Sequence, residues 1–247
     1  MNALTQKLHR SAKSYLGTLA VGMRETIFPR VCATCQGHCH EHERYVCVAC
    51  RATLPTLDLH TLPENQMTDR FWGRLPVERA ASLLPYVEDG SAQRIMRALK
   101  YDDRPELGYA LGAWLGQLLA GEDSAFGRVE AVVPVPLHPR RQRMRGYNQA
   151  ERIAAGLAEV LEARCLPHAV ERVRNTTSQT KQSRFGRVAN VEGIFRLRQA
   201  GALRGRIVLL VDDVLTTGAT LEALGREVAK ASPAALKVAT LAVAGRI

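Results

Sequence analysis

Two adjacent carboxylates, Asp212 and Asp213, follow directly on the apolar run Val208-Leu209-Leu210-Val211. Beyond them lie Thr216, Thr217, Gly218, Ala219 and Thr220. Carboxylates accept hydrogen bonds from sugar hydroxyls. Threonine hydroxyls and the backbone N–H groups of a glycine-bearing turn hold phosphate, above all where the turn opens onto the positive end of a helix. After Gly218 the spacing is helical, with Leu221, Leu224 and Val228 on one face. The run Val208–Leu221 therefore predicts a buried parallel strand that delivers two acids at its carboxyl end, then a phosphate-binding loop, then a helix. A sugar phosphate is the ligand these groups suit. A turn that served only packing would have little use for two acids and three threonines around one glycine.

Basic segments are expected at the same edge. The stretch from Pro134 to Gln149 carries Arg140, Arg141, Arg143 and Arg145, with Gly146 permitting an unusual dihedral and Asn148 placed to cap the next helix. The stretch from Arg172 to Arg187 is long and polar and carries Arg174, Gln179, Lys181, Arg184 and Arg187, the composition of a lid over phosphate. Lys100 is a third contributor. Arginine forks bind phosphate oxygens in pairs, so these cations together suit a pyrophosphate-bearing sugar. Taken singly, each arginine reads as solvated surface.

A different chemistry is written near the start. Cys32-Ala-Thr-Cys35 is followed by eleven residues and then Cys47-Val-Ala-Cys50. Two such pairs can place four thiolates tetrahedrally around Zn²⁺ and leave no open position for water, which makes the site structural. Cys39, beside His38, His40 and His42, leaves one member of the set open, although the paired spacing favours Cys32, Cys35, Cys47 and Cys50. Disulfides would need an oxidising compartment, and two redox pairs so close together fit a metal better. Cys165 stands alone and reads as a small buried hydrophobe.

The elements that must position these groups alternate. Strands are predicted at 79–87, 131–135, 169–173, 194–197, 206–212 and 236–243, and helices at 91–100, 107–120, 149–163 and 219–231. Alternation of this kind implies a mostly parallel sheet with helices on both faces, whose ligands sit outside the carboxyl ends of the strands. The domain reading is an N-terminal segment and zinc module over 1–65, a proline-bearing linker, and an α/β domain over 70–247. At 247 residues with 46% hydrophobic residues, global disorder is excluded. Lys and Arg number 34 against 24 acids, a net charge of +10, which favours polyanionic partners. Aromatic residues at 5% argue against a broad base-stacking platform. No apolar run approaches the roughly 18–20 residues that span a bilayer. Met1–Arg30 reads as an amphipathic helix packed on the body, with a peripheral membrane helix as the alternative.

The run Val211–Thr220 resembles the phosphoribosyl-pyrophosphate (PRPP) signature of type I phosphoribosyltransferases. From about Phe28 onward the chain resembles the ComF family, which joins a zinc knuckle to a phosphoribosyltransferase-like domain. The matching residues are Phe28-Pro29, the two Cys pairs, Lys100-Tyr101, Val133–Leu137, Arg145-Gly-Tyr-Asn-Gln149, Arg174-Asn-Thr with Gln179, Asn190 with Gly193 and Phe195, and Val211–Thr220. The resemblance implies PRPP binding with Mg²⁺ in the cytoplasm or at the inner face of the membrane. It also implies a part in natural transformation, where single-stranded DNA enters, or in the use of DNA as a nutrient. The expected PRPP site comprises Asp212, Asp213, Thr216, Thr217, Gly218, Ala219, Thr220, Arg145 and Lys100, with Asp212, Asp213 and Arg145 closest to the chemistry. The competing reading is a non-catalytic protein that grips single-stranded DNA, or an adaptor for a helicase-like partner, keeping the phosphate site as a sensor or backbone cradle.

Overall fold

A computed structural model describes residues 30–40, 43, 45–121, 126–174 and 193–245. The predicted N-terminal helix lies outside these residues, as do His42, Gln179, Lys181, Arg184, Arg187 and Asn190. The chain forms two compact units, Met1–Thr53 and Leu54–Ile247.

In the smaller unit, Cys32–Cys35 forms a tight turn closed by Gln36 N–H to Cys32 O (3.0 Å) and Cys32 N–H to Gly37 O (2.8 Å), with an antiparallel bridge between Val31 and His38. The short helix α1 (Val48–Thr53) starts just after Cys47.

The larger unit contains, in order, β1 (Val77–Tyr86), α2 (Ser91–Tyr101), α3 (Pro105–Leu119), β2 (Ala131–Pro134), α4 (Pro139–Arg145), α5 (Gln149–Val160), β3 (Arg164–Cys165), β4 (Val170–Arg172), β5 (Phe195–Leu197), β6 (Ile207–Leu215), α6 (Ala219–Ala229) and β7 (Ala235–Ala244). Five strands form one sheet in the order β1-β7-β6-β2-β3, with every pairing parallel. β4 and β5 form a separate antiparallel ribbon. Near-continuous apolar strands such as β6 and β7 are what burial on both faces requires. Val208, Leu210 and Val238 join Leu221, Leu224 and Val228 of α6 in one core. The alternate residues Leu209, Val211 and Val132 are equally buried and face the other way, where α5 packs on β2 and β6. Helices thus cover both faces. Among the described residues no helix is long and apolar enough to cross a membrane.

The helix α5 is set by contact of bare backbone. A Cβ on Gly112 of α3 would lie 2.0 Å from Ile153 O, and one on Gly156 of α5 would lie 2.0 Å from Tyr109 O. Only glycine at both positions lets the two helices come this close.

Several elements differ from the sequence reading. Strand β6 runs on past the two acids to Leu215, three residues beyond the predicted end at 212, so Asp213 is a strand residue like Asp212 and not the first residue of a loop. Pro85 sits within β1, which tolerates it because β1 is the sheet edge. The basic stretch after β2 contains a short helix, α4, begun by Pro139 and capped by His138, whose ring nitrogen accepts from Arg140 N–H at 3.2 Å. β3 adds a fifth strand too short to show any periodicity. Residues 54–69 belong to the larger unit. Leu59, Met67 and Phe71 lie in its core, and the Asn65 amide donates to Leu59 O (3.0 Å) and Ala80 O (2.9 Å) while its oxygen accepts from Met67 N–H (2.9 Å). A few anchors in a polar, proline-broken stretch suffice to dock it, and hydropathy alone does not reveal them.

Candidate functional site

Strand order reverses between β2 and β6. The chain leaves β2 toward β3 on one side and leaves β6 toward β7 on the other, so their carboxyl ends frame a crevice. A cavity of about 310 Å³ opens there. Its acidic wall is Asp212 and Asp213, its basic wall is Lys100, Arg141, Arg145 and Arg172, and Thr220 brings the start of α6 to its rim.

The local sequence explains each placement. Asn148 caps α5 by accepting from Ala150 N–H (3.1 Å) while its amide donates to Val135 O (3.0 Å), which ties the end of β2 to the start of the helix. Gly146, at φ 80°, makes the turn between α4 and that cap. Arg145 then donates to the side-chain oxygen of Gln149 at 3.1 Å, which holds the guanidinium at the cavity. Tyr147 donates its hydroxyl to Leu99 O at 2.5 Å and so fixes the end of α2, where Lys100 projects. Lys100 Nζ lies 3.0 Å from the Asp213 carboxylate. Asp212 is turned back on its own strand, accepting from Asp213 N–H at 2.8 Å.

The electrostatics differ along the acidic wall. Burial, then the neighbouring Asp213 charge, pushes the Asp212 carboxyl up to about 8, against the opposing pull of the Asp213 N–H, Lys100 and Arg172. Arg172, which stacks over the Phe195 ring at 5.7 Å, is held below the usual arginine range by burial and by Arg141, and is pulled back up by Asp212. His138 is kept below the ordinary histidine range by burial and then by Arg172, Arg140, Arg141 and Arg143. The ring nitrogen that accepts from Arg140 N–H carries no proton, and this shift favours that form.

The loop from Thr216 to Thr220 completes the site. Gly218 adopts φ 82°, a left-handed conformation, and serves as the N-cap residue of α6. Thr217 Oγ1 accepts from Ala219 N–H at 3.5 Å. A helix start leaves its first N–H groups without intrahelical partners, so the end of α6 at Thr220 offers donors and a positive dipole toward an anion.

Of the sequence-predicted site, Asp212, Asp213, Thr220, Arg145 and Lys100 share the cavity wall, while Thr216, Thr217, Gly218 and Ala219 form the adjoining loop. Arg174 lies just beyond β4, and Arg172 reaches the cavity in its place. Of the arginine run 140–145, Arg141 and Arg145 reach the cavity, and Gln149, the last residue of the matching motif that begins at Arg145, lines it as well. Arg172, which the sequence marked only as the start of a basic stretch, is the cavity residue that spacing did not single out.

The four sulfurs of Cys32, Cys35, Cys47 and Cys50 lie within 4.8 Å of one another, with Cys35 and Cys47 at 3.9 Å. Tetrahedral zinc–thiolate geometry requires sulfurs about 3.8 Å apart. Backbone N–H groups of Thr34 and Cys47 point at Cys32 Sγ, that of Gly37 at Cys35 Sγ, and that of Cys50 at Cys47 Sγ, each at 3.4 Å. Burial alone would raise the Cys32 thiol, yet backbone donors outweigh it and bring the group down to about 6. Cys50 moves the other way, raised by burial and by its sulfur neighbours. Together the set is primed for a thiophilic cation. Cys39 lies outside it, buried and pushed up to about 11, and packs as a thiol. Cys165 is likewise pushed up to about 11 by burial.

The sequence profile of the phosphoribosyl transferase domain matches residues 145–246. Competence protein F of Haemophilus influenzae is 40% identical over 98 residues, which are 39% of this chain and 43% of that protein, so the chain spans under half of that relative's length. DNA utilization protein YhgH of Salmonella typhi is 30% identical over 165 residues, 66% of this chain and 71% of that protein. Competence protein ComFC of Bacillus subtilis is 38% identical over 95 residues, 38% of this chain and 36% of that protein.

Proposed function

The chain belongs to the ComF family of phosphoribosyltransferase-like proteins, and on that premise we propose that it binds PRPP at the carboxyl edge of its sheet and acts in DNA uptake or utilisation. The observation that carries the PRPP reading is the meeting of acids, cations and a helix start around one cavity. Asp212 and Asp213 would hold the ribose hydroxyls. Thr216–Thr220 would bind the sugar's phosphate. Arg141, Arg145, Arg172 and Lys100 would receive the pyrophosphate, whose departure from the anomeric carbon leaves charge on oxygens that arginine forks match. Two neighbouring carboxylates are hard oxygen donors that suit Mg²⁺, which when bound would neutralise pyrophosphate charge. The high proton affinity of Asp212 fits the same reading, since a cation arriving with the ligand would offset its burial and lower that affinity.

The relatives' names supply the setting, competence and DNA utilisation. Single-stranded DNA is the partner proposed for the basic surface, where α4 exposes Arg140 and Arg143 in a chain of net charge +10. A helicase-like competence protein is a further proposed partner. Zn²⁺ is the proposed occupant of the cysteine cluster, and its dependence on reduced thiols matches a cytoplasmic setting.

Calorimetric titration of the full chain with PRPP and Mg²⁺ tests the reading. Saturable binding in the wild type and its loss in Asp213→Ala, with the fold retained, are expected. Absence of binding, or binding indifferent to that substitution, would overturn it.

A further inference from the structure

Arg70 lies before β1, at the point where the sequence reading ends its linker and begins the α/β domain. Its guanidinium donates to three backbone carbonyls: Leu215 O at 3.3 Å, Thr216 O and Ala244 O. The first ends β6, the second opens the turn toward Gly218, and the third ends β7. The residues after Arg70 follow α6 downward from its start. The Phe71 ring lies 3.3 Å from where a Cβ on Gly218 would stand. Arg74 pairs with Glu222 at 2.9 Å, and Leu75 occupies the space a Cβ on Gly225 would need, 2.2 Å away. Gly218, Glu222 and Gly225 share one helix face by their spacing. Asn65, whose side chain makes four hydrogen bonds, anchors the stretch that presents Arg70.

The consequence follows from peptide geometry. In a trans peptide the C=O of one residue and the N–H of the next lie in one plane and point in opposite directions. Engaging Leu215 O and Thr216 O therefore fixes the directions of the Thr216 and Thr217 N–H groups, donors of the phosphate loop. A planar guanidinium has five N–H donors in a fixed fork and can serve three carbonyls at once; an ammonium has no such fork. It also puts a positive charge behind a loop whose ligand is anionic.

We infer that Arg70 is a positioning residue of the phosphate loop, setting the peptide planes of Thr216 and Thr217 and adding positive charge behind the bound phosphate. This inference rests on the reading of 216–220 as that loop. Full-length Arg70→Met and Arg70→Lys test it by two readouts. The first is amide hydrogen exchange of the ligand-free protein. Arg70→Met is expected to raise exchange of the ladder amides at the carboxyl ends of β6 and β7, beside the three carbonyls it holds, by about tenfold or more while amides of α3 and α5 keep wild-type protection. Arg70→Lys, which keeps charge and length but loses the fork, is expected to give a smaller rise at the same amides. The second readout is PRPP–Mg²⁺ affinity, expected to fall by about tenfold in Arg70→Met and to recover when millimolar methylguanidinium is added to that variant only. Unchanged exchange at those strand-end amides in both variants overturns the inference. If Arg70→Met unfolds, the Arg70→Lys exchange pattern decides. Failure of the wild type to bind PRPP would sink the proposed ligand instead, and the exchange data would still judge whether Arg70 orders the loop.

Discussion

The two polar sites of this protein are built in opposite ways. The cysteine cluster draws its four ligands from Cys32 to Cys50, one short contiguous stretch. The cavity draws its walls from Lys100, Arg141, Arg145, Arg172, Asp213 and Thr220, residues brought together by the sheet. The first is a local cluster, whose geometry lies in two tight turns close together in the chain. The second balances acids against cations across a crevice, and its geometry depends on how strands and helices pack many residues away. Damage should therefore spread differently. Breaking a cysteine should abolish one unit's order and spare the cavity; breaking the packing should harm the cavity without touching any of its residues.

The largest effect is expected from Cys50→Ser. Structural zinc contributes on the order of 10 kcal/mol to folding of small modules. The variant should lose stoichiometric zinc by metal analysis and make residues 30–53 protease-sensitive, while PRPP affinity stays within about twofold of wild type. A matching loss of PRPP affinity would break the comparison.

Gly112→Ala probes the other side. Its Cβ would stand 2.0 Å from Ile153 O, so α5, which carries Asn148 and Gln149 to the cavity, must shift. A loss of about 3 kcal/mol in chemical denaturation is expected, with weaker PRPP binding and full zinc content. Unchanged stability would mean that the helix pair yields without cost.

Asp212 sharpens the contrast through pH. Its folded value of about 8 lies above the unfolded value of about 3.9, so the folded state holds the proton more tightly. The associated stability is whole below about pH 4 and is lost as pH rises through about 8. In ligand-free protein, Asp212→Asn should remove this part of the decline in melting temperature between pH 5 and 9, and should be the more stable form at the alkaline end. Parallel pH profiles for variant and wild type would refute the assignment.

The smallest effect is expected from Gly218→Ala. The position has φ 82° and a Cβ there would sit 3.3 Å from Phe71, so a cost of about 1–2 kcal/mol is expected. PRPP affinity should fall more than stability does, which comparing titration with thermal melts would reveal.

Much of both sites was legible beforehand, for different reasons. The pairs Cys32/Cys35 and Cys47/Cys50 are a spacing code, and so is the acid–threonine–glycine run that ends at Thr220. The residues not singled out illustrate the limit. Arg172 lines the cavity because β4 ends there, and nothing in its flanking sequence marks it off from a surface arginine. Arg70 was hidden at the end of a stretch whose prolines and polar residues read as a linker, since three buried anchors leave no periodic trace.

Sequence alone determined the chemistry that depends on neighbours along the chain: the cysteine quartet, the two acids, the threonine–glycine loop, the alternating strands and helices and hence a largely parallel sheet. Tertiary structure decided which cations face the acids, that burial raises the proton affinity of Asp212, that Cys39 lies outside the cysteine quartet, and that Arg70 grips the loop after β6. The physical reason is range. Turn geometry and hydrophobic periodicity act over a few residues and leave a pattern in the text; burial, charge pairing and backbone anchoring act between segments far apart in the chain, and they come into being only once the chain has packed.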